Sequence, residues 1–181
     1  MKNVFLFICF CILNSCAKKE AEVVEPTFVE KENVDFYEGS HPENFKAKRM
    51  DGKEFDAKNY LGKNLFIVIN KVDFEGKMSD DFNELIDKHK KDNVEFVLIV
   101  DGDIKPENKL DDVVSMYDSS AIFIDNRSLP YKNESQIKHS LHCWPASILM
   151  DTKGDVVRTS CGGYGFADEY KRKLDSLIAS N

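Results

Sequence analysis

Two uninterrupted apolar runs set the tightest limit on what this chain can fold into. Asn64-Leu65-Phe66-Ile67-Val68-Ile69-Asn70 and Val94-Glu95-Phe96-Val97-Leu98-Ile99-Val100 leave almost no polar face. Each therefore reads as a strand covered on both sides. Between them Phe82, Leu85, Ile86 and His89 recur at helical spacing over about residues 79–91, with Ser79 placed to cap the amino end. A strand, an amphipathic helix and a second buried strand call for a layered α/β domain.

The flanking segments extend that reading. Phe45 to Leu61 has the pattern of a short hairpin turning at Asp51-Gly52. Asp101 to Pro106 reads as a loop, Leu110 to Tyr117 as a short helix and Ala121 to Ile124 as a short apolar strand. Tyr131 to Leu141 is expected to be helical. Ala146–Met150 and Val156–Thr159 form a second hairpin across Thr152-Lys153-Gly154-Asp155, and Ala167–Ala179 a terminal helix with Tyr170, Leu174, Leu177 and Ile178 on one face. The order βαβα, then ββα, predicts an α/β domain with a mixed central sheet and helices on both faces. The 13 Phe are enough to fill its core. No internal repeat is present.

The amino end reads differently. Lys2 precedes an apolar run from Val4 to Leu13, too short to span a bilayer, which ends Leu13-Asn14-Ser15-Cys16. That tetrapeptide resembles the bacterial lipobox. The resemblance implies a signal peptide over 1–15, cleavage before Cys16 and lipidation of its thiol. Residues 16–34 then form a charged, flexible tether, and 35–181 the folded domain. Ala17 in place of an aspartate implies an outer-membrane lipoprotein. Lys18-Lys19-Glu20 resembles signals that carry some lipoproteins to the cell surface, so the domain faces either the periplasm or the exterior. A formal charge of −7 argues against nucleic acid, and against anionic lipid met through a basic face.

Several local motifs share an order with one known family. Phe45-Lys46-Ala47 through Asp51-Gly52-Lys53-Glu54-Phe55 is similar to its opening hairpin, and Tyr60-Leu61-Gly62-Lys63 to its lead into the first core strand. Trp144-Pro145-Ala146-Ser147-Ile148-Leu149-Met150-Asp151-Thr152-Lys153-Gly154 is similar to its x-P-T-x-x-L-I-D-x-x-G segment. Over about residues 36–178 the chain resembles the thioredoxin-like redoxins, in particular their TlpA-like and AhpC/TSA branches. The resemblance implies a thioredoxin-like fold, a cis proline at Pro145 facing the active site, and thiol–disulfide exchange at a W-C-x-x-C motif. Here that motif falls on Phe74-Glu75-Gly76-Lys77-Met78, and both cysteine positions are substituted, by Glu75 and Met78. Exchange needs a low-pKa thiolate and a resolving thiol, and neither side chain supplies one. No cysteine lies near this helix start to serve a peroxiredoxin mechanism.

Once the leader is gone and Cys16 is lipidated, Cys143 and Cys161 are the thiols left in the domain. Three readings stand for them: a structural disulfide or two separate buried thiols, as an exported compartment permits; a relocated redox pair with Cys143 exposed on the proline loop; or, with His139 and His142, donors for copper or zinc. The metal set lacks the two helix-start cysteines that the fold's copper chaperones need, so no metal and no cofactor are expected. His139 and His142 are read as solvent-facing loop residues, and Glu75 as a capping carboxylate. The function expected is a protein- or peptide-binding module in the envelope, with Phe74, Glu75, Met78, Trp144 and Pro145 at the groove. The alternative is an oxidoreductase using Cys143 with Cys161.

Overall fold

The computed structural model describes residues 33–71, 78–102, 110–127, 136–162 and 166–180. Among the described residues, seven strands and three α-helices follow one another, in the expected order except for the helix expected over 131–141. They are β1 (Lys46–Lys48), β2 (Glu54–Asp56), β3 (Asn64–Lys71), α1 (Met78–His89), β4 (Val94–Asp101), α2 (Leu110–Val114), β5 (Ile122–Asp125), β6 (Ala146–Met150), β7 (Val156–Cys161) and α3 (Phe166–Ala179). β1 and β2 form the small antiparallel hairpin, with Gly52 at φ +84° in its turn, a conformation that a Cβ would strain. The other five strands form one sheet in the order β5-β4-β3-β6-β7. β3 pairs parallel with β4 and antiparallel with β6, so the sheet is mixed, as expected.

Alternation along the central strand explains why two separate cores exist. Leu65, Ile67 and Ile69 point to one face, where they meet Phe36, Phe45, Phe55 and Ile148. Phe66 and Val68 point to the other, where they meet Phe82, Leu85, Tyr170 and Leu174. The buried apolar residues of α1 and α2, with Tyr170 and Leu174 of α3, lie in this second core. The first is roofed by the β1–β2 hairpin, a short 3-10 helix at Ala57–Tyr60 and the segment around Ile137 and Leu141. The Phe66 ring sits 4.9 Å from that of Tyr170 and 5.9 Å from those of Phe82 and Phe96. The terminal helix is thereby keyed to the sheet. The Tyr170 hydroxyl donates to the Ser147 carbonyl at 2.8 Å in a buried site. Tyr170→Phe should therefore lower the unfolding free energy by about 1–2 kcal/mol, the net worth of a buried hydrogen bond whose acceptor is left behind. A urea midpoint equal to wild type would show that the hydroxyl contributes nothing.

Four local expectations need correction. Ser79 lies inside α1 and is buried, so it does not cap the helix. α2 ends at Val114 rather than Tyr117, because the Met116 and Tyr117 N–H groups turn back by only three residues, to the carbonyls of Val113 and Val114. Residues 136–141 are not helical. Their backbone instead pairs with the incoming chain, Val34 N–H donating to Lys138 C=O at 2.7 Å and Ser140 N–H to Val34 C=O at 3.0 Å. Val34, assigned to the tether, is accordingly buried in the first core. Residues 1–32, with Cys16, lie outside the described residues. No helix among the described residues is long and apolar enough to cross a membrane.

Candidate functional site

The carboxyl ends of the parallel strands β3, β4 and β5 place Lys71, Asp101 and Asn126 side by side. In open α/β sheets this is the edge where ligands bind. Asp101 is the hub. Its Oδ2 accepts a hydrogen bond from the Trp144 indole at 3.1 Å and lies 3.3 Å from His139 Nε2. Its Oδ1 accepts from the Asn126 amide at 3.2 Å. The carboxylate side chain is 14% exposed and the His139 ring 6%. Burial works against the charge of Asp101. The His139 ring, the Trp144 indole and the Gly102 N–H outweigh it and hold the carboxyl below the ordinary range.

Trp144 is clamped from two sides. Its indole N–H is fixed by Asp101, and the Lys71 ammonium stands 3.7 Å above the ring centroid. A Cβ at Gly102 would meet Lys71 Cγ at an ordinary contact distance of 3.4 Å, so it is the backbone φ of +104° there that favours glycine. The peptide bond from Trp144 to Pro145 is cis, as the family resemblance implies. The Pro145 ring is buried, and its carbonyl accepts from Gly162 N–H at 2.9 Å.

Cys143 and Cys161 form a disulfide with Cα atoms 5.7 Å apart. Ala146 and Cys161 are the last ladder partners of β6 and β7, so Cys143 reaches back across the open end of that ladder. Cys143 is half-buried against the first core, and Cys161 is exposed. Bonded to each other, neither sulfur is a free thiolate donor.

The expected site residues thus separate. Trp144, Pro145, Cys143 and Cys161 lie together at one end of the sheet, whereas Phe74 and Glu75 lie outside the described residues. Met78 is buried within the second core, among Phe66, Phe82 and Leu85. It fills space under α1 and offers nothing to a groove. His142 is exposed, as expected. His139 is not: its pairing with Asp101 and its backbone bridge to Val34 draw it inside. Lys71, Asp101 and Asn126 escaped the sequence reading. The signal available for them was a polar residue closing each buried strand. A cavity of about 400 Å³ at the opposite end of the sheet is lined by Phe45, Tyr60, Leu61, Leu65 and Met150. Of its lining charges Lys63 pairs with Glu95 and His41 with Asp155, and Glu43, Lys58 and Asp151 complete the rim.

Comparison with solved structures assigns the architecture. The chain matches a protein assigned as the thiol:disulfide interchange protein DsbE from Chlorobium tepidum, with a TM-score of 0.62 at 13% identity, over 79% of this chain and 99% of that one. It matches the C-terminal domain of an assigned thiol-disulfide oxidoreductase from Bacteroides thetaiotaomicron with a TM-score of 0.62 at 16% identity, over 81% and 99%. It matches the exposed lipoprotein thioredoxin Etrx1 of Streptococcus pneumoniae with a TM-score of 0.53 at 18% identity, over 75% and 100%. The fold is thioredoxin-like, and these neighbours are thiol–disulfide oxidoreductases and thioredoxins. No protein-family model matches the sequence, and no curated protein matches it.

Proposed function

We propose that this protein is an envelope lipoprotein, anchored through Cys16, whose thioredoxin-like domain binds an extended polypeptide beside the Trp144–Pro145 loop and performs no dithiol exchange at the usual helix-start position. The observation that carries the reading is Trp144. A large aromatic ring, half-exposed and held by Asp101 and Lys71, is the kind of rigid anchor that dominates polypeptide recognition. The chemistry expected of the fold is missing from its place, since residues 72–82 contain no cysteine. Two of the structural neighbours carry names from the bacterial envelope, DsbE and an exposed lipoprotein, in keeping with the leader and Cys16.

The test is binding of a reduced, carboxymethylated lactalbumin, an unfolded polypeptide without thiols, followed by fluorescence anisotropy. Trp144→Ala should weaken binding about tenfold or more, corresponding to roughly 1.4 kcal/mol. Equal affinity in the variant would remove the loop from the binding surface. The second reading, an oxidoreductase using Cys143 with Cys161, is favoured by the exposure of Cys161 in a formed bond. It requires multiple turnovers of a disulfide substrate, which the binding reading excludes.

A further inference from the structure

We propose that Cys161 Sγ is a thiol-exchange site, and that opening the Cys143–Cys161 bond there lowers the affinity of the Trp144 loop for polypeptide. The proposal rests on the binding reading above and adds its regulation. Three observations lead to it.

The first is accessibility. Cys161, the last residue of β7, is exposed, whereas Cys143 is half-buried against the first core. An external thiolate needs access to the sulfur it attacks, and Cys161 is the more exposed of the two residues. The second is leverage. Cys143 adjoins Trp144 in sequence and lies beyond Ala146–Cys161, the last pair of the β6–β7 ladder. The disulfide and the Gly162–Pro145 hydrogen bond therefore tie the loop to β7 past the end of the sheet. The third is the separation of loop and scaffold. Asp101 and Lys71, which hold the indole, belong to β4 and β3, and neither strand carries a cysteine. Opening the bond relaxes the loop against a sheet that stays in place.

The exchange balances with an external thiol pair as reductant. A thiolate attacks Cys161 Sγ, the Cys143–Cys161 bond breaks, and Cys143 leaves with the electron pair and takes up a proton. A second external thiol then attacks the mixed disulfide, releasing Cys161 as a thiol and the reductant as its own disulfide. Two electrons pass to the protein, and no turnover of a protein substrate is involved.

The experiment is a titration of the purified protein across a series of reduced to oxidised glutathione ratios, with acid quenching, alkylation and mass spectrometry. Far-UV circular dichroism, emission of Trp144 (the sole tryptophan) and affinity for carboxymethylated lactalbumin are read at each step. The expected result is one reversible transition between bonded and dithiol forms with unchanged circular dichroism. Trp144 emission should shift, and affinity in the reduced form should fall about tenfold. In the single variants Cys143→Ser and Cys161→Ser, oxidised glutathione should modify Cys161 at least about tenfold faster than Cys143. A bond that stays closed in excess reduced glutathione overturns the proposal. So does faster modification of Cys143, equal affinity in the two forms, or unfolding on reduction, which would make the bond a staple. Failure of the oxidised protein to bind lactalbumin overturns the binding reading, and the affinity half of this proposal with it. The adduct rates decide the exchange site independently.

Discussion

Asp101→Ala is expected to lower the unfolding free energy by about 2–4 kcal/mol, because it leaves several donors facing a space that water cannot readily fill. The Trp144 indole and the Asn126 amide lose a charged acceptor at once, and the His139 ring loses its partner. Asp101→Asn keeps the shape and one acceptor, so its loss should fall between that of wild type and alanine. The effect carries a definite pH dependence. The folded carboxyl titrates below its ordinary value, so the contribution is complete above about pH 5, where the unfolded side chain is ionised. It is lost as pH falls through the lower folded value, where the folded protein also takes up the proton. Chemical denaturation of wild type and Asp101→Ala from pH 7 to pH 3 should therefore show the gap narrowing toward the acid end. A gap that widens with acid would mean that the group is not held ionised by these partners.

The second large effect belongs to the disulfide. A double Cys143→Ser, Cys161→Ser variant is expected to lose about 3 kcal/mol, the chain-entropy value for a closed loop near the observed separation of 18 residues. Most domains are stable by about 5–15 kcal/mol, so the variant should still fold, with a clearly lower urea midpoint. An unchanged midpoint would mean that the native geometry gives back what the crosslink removes from the unfolded ensemble. Because Asp101 and the disulfide act on neighbouring parts of one loop, the triple variant should depart from additivity.

The central strands were legible in the sequence because burial on both faces leaves an uninterrupted apolar run. The second hairpin was legible because Lys153-Gly154 punctuates it, and the terminal helix because its apolar residues keep the helical period. The hub of the site was not legible. His139 and Trp144 lie 38 and 43 residues beyond Asp101, and nothing local marks a histidine that folds inward to meet a carboxylate. The Trp144–Pro145 segment was visible through its motif, and the Cys143–Cys161 pairing as one of three open possibilities. Met78 misled for a physical reason: a residue at the start of an amphipathic helix can face the groove or the sheet, and its neighbours in sequence do not say which. The burial of Val34 was hidden because its partners, Lys138 and Ser140, come a hundred residues later.

Those two hydrogen bonds also link the amino-terminal side of the described domain to its site. Val34 pairs with the backbone on either side of His139, the His139 ring meets Asp101, and Asp101 holds the Trp144 indole. A displacement of Val34 therefore reaches the Trp144 ring through three consecutive contacts: backbone, imidazole and carboxylate.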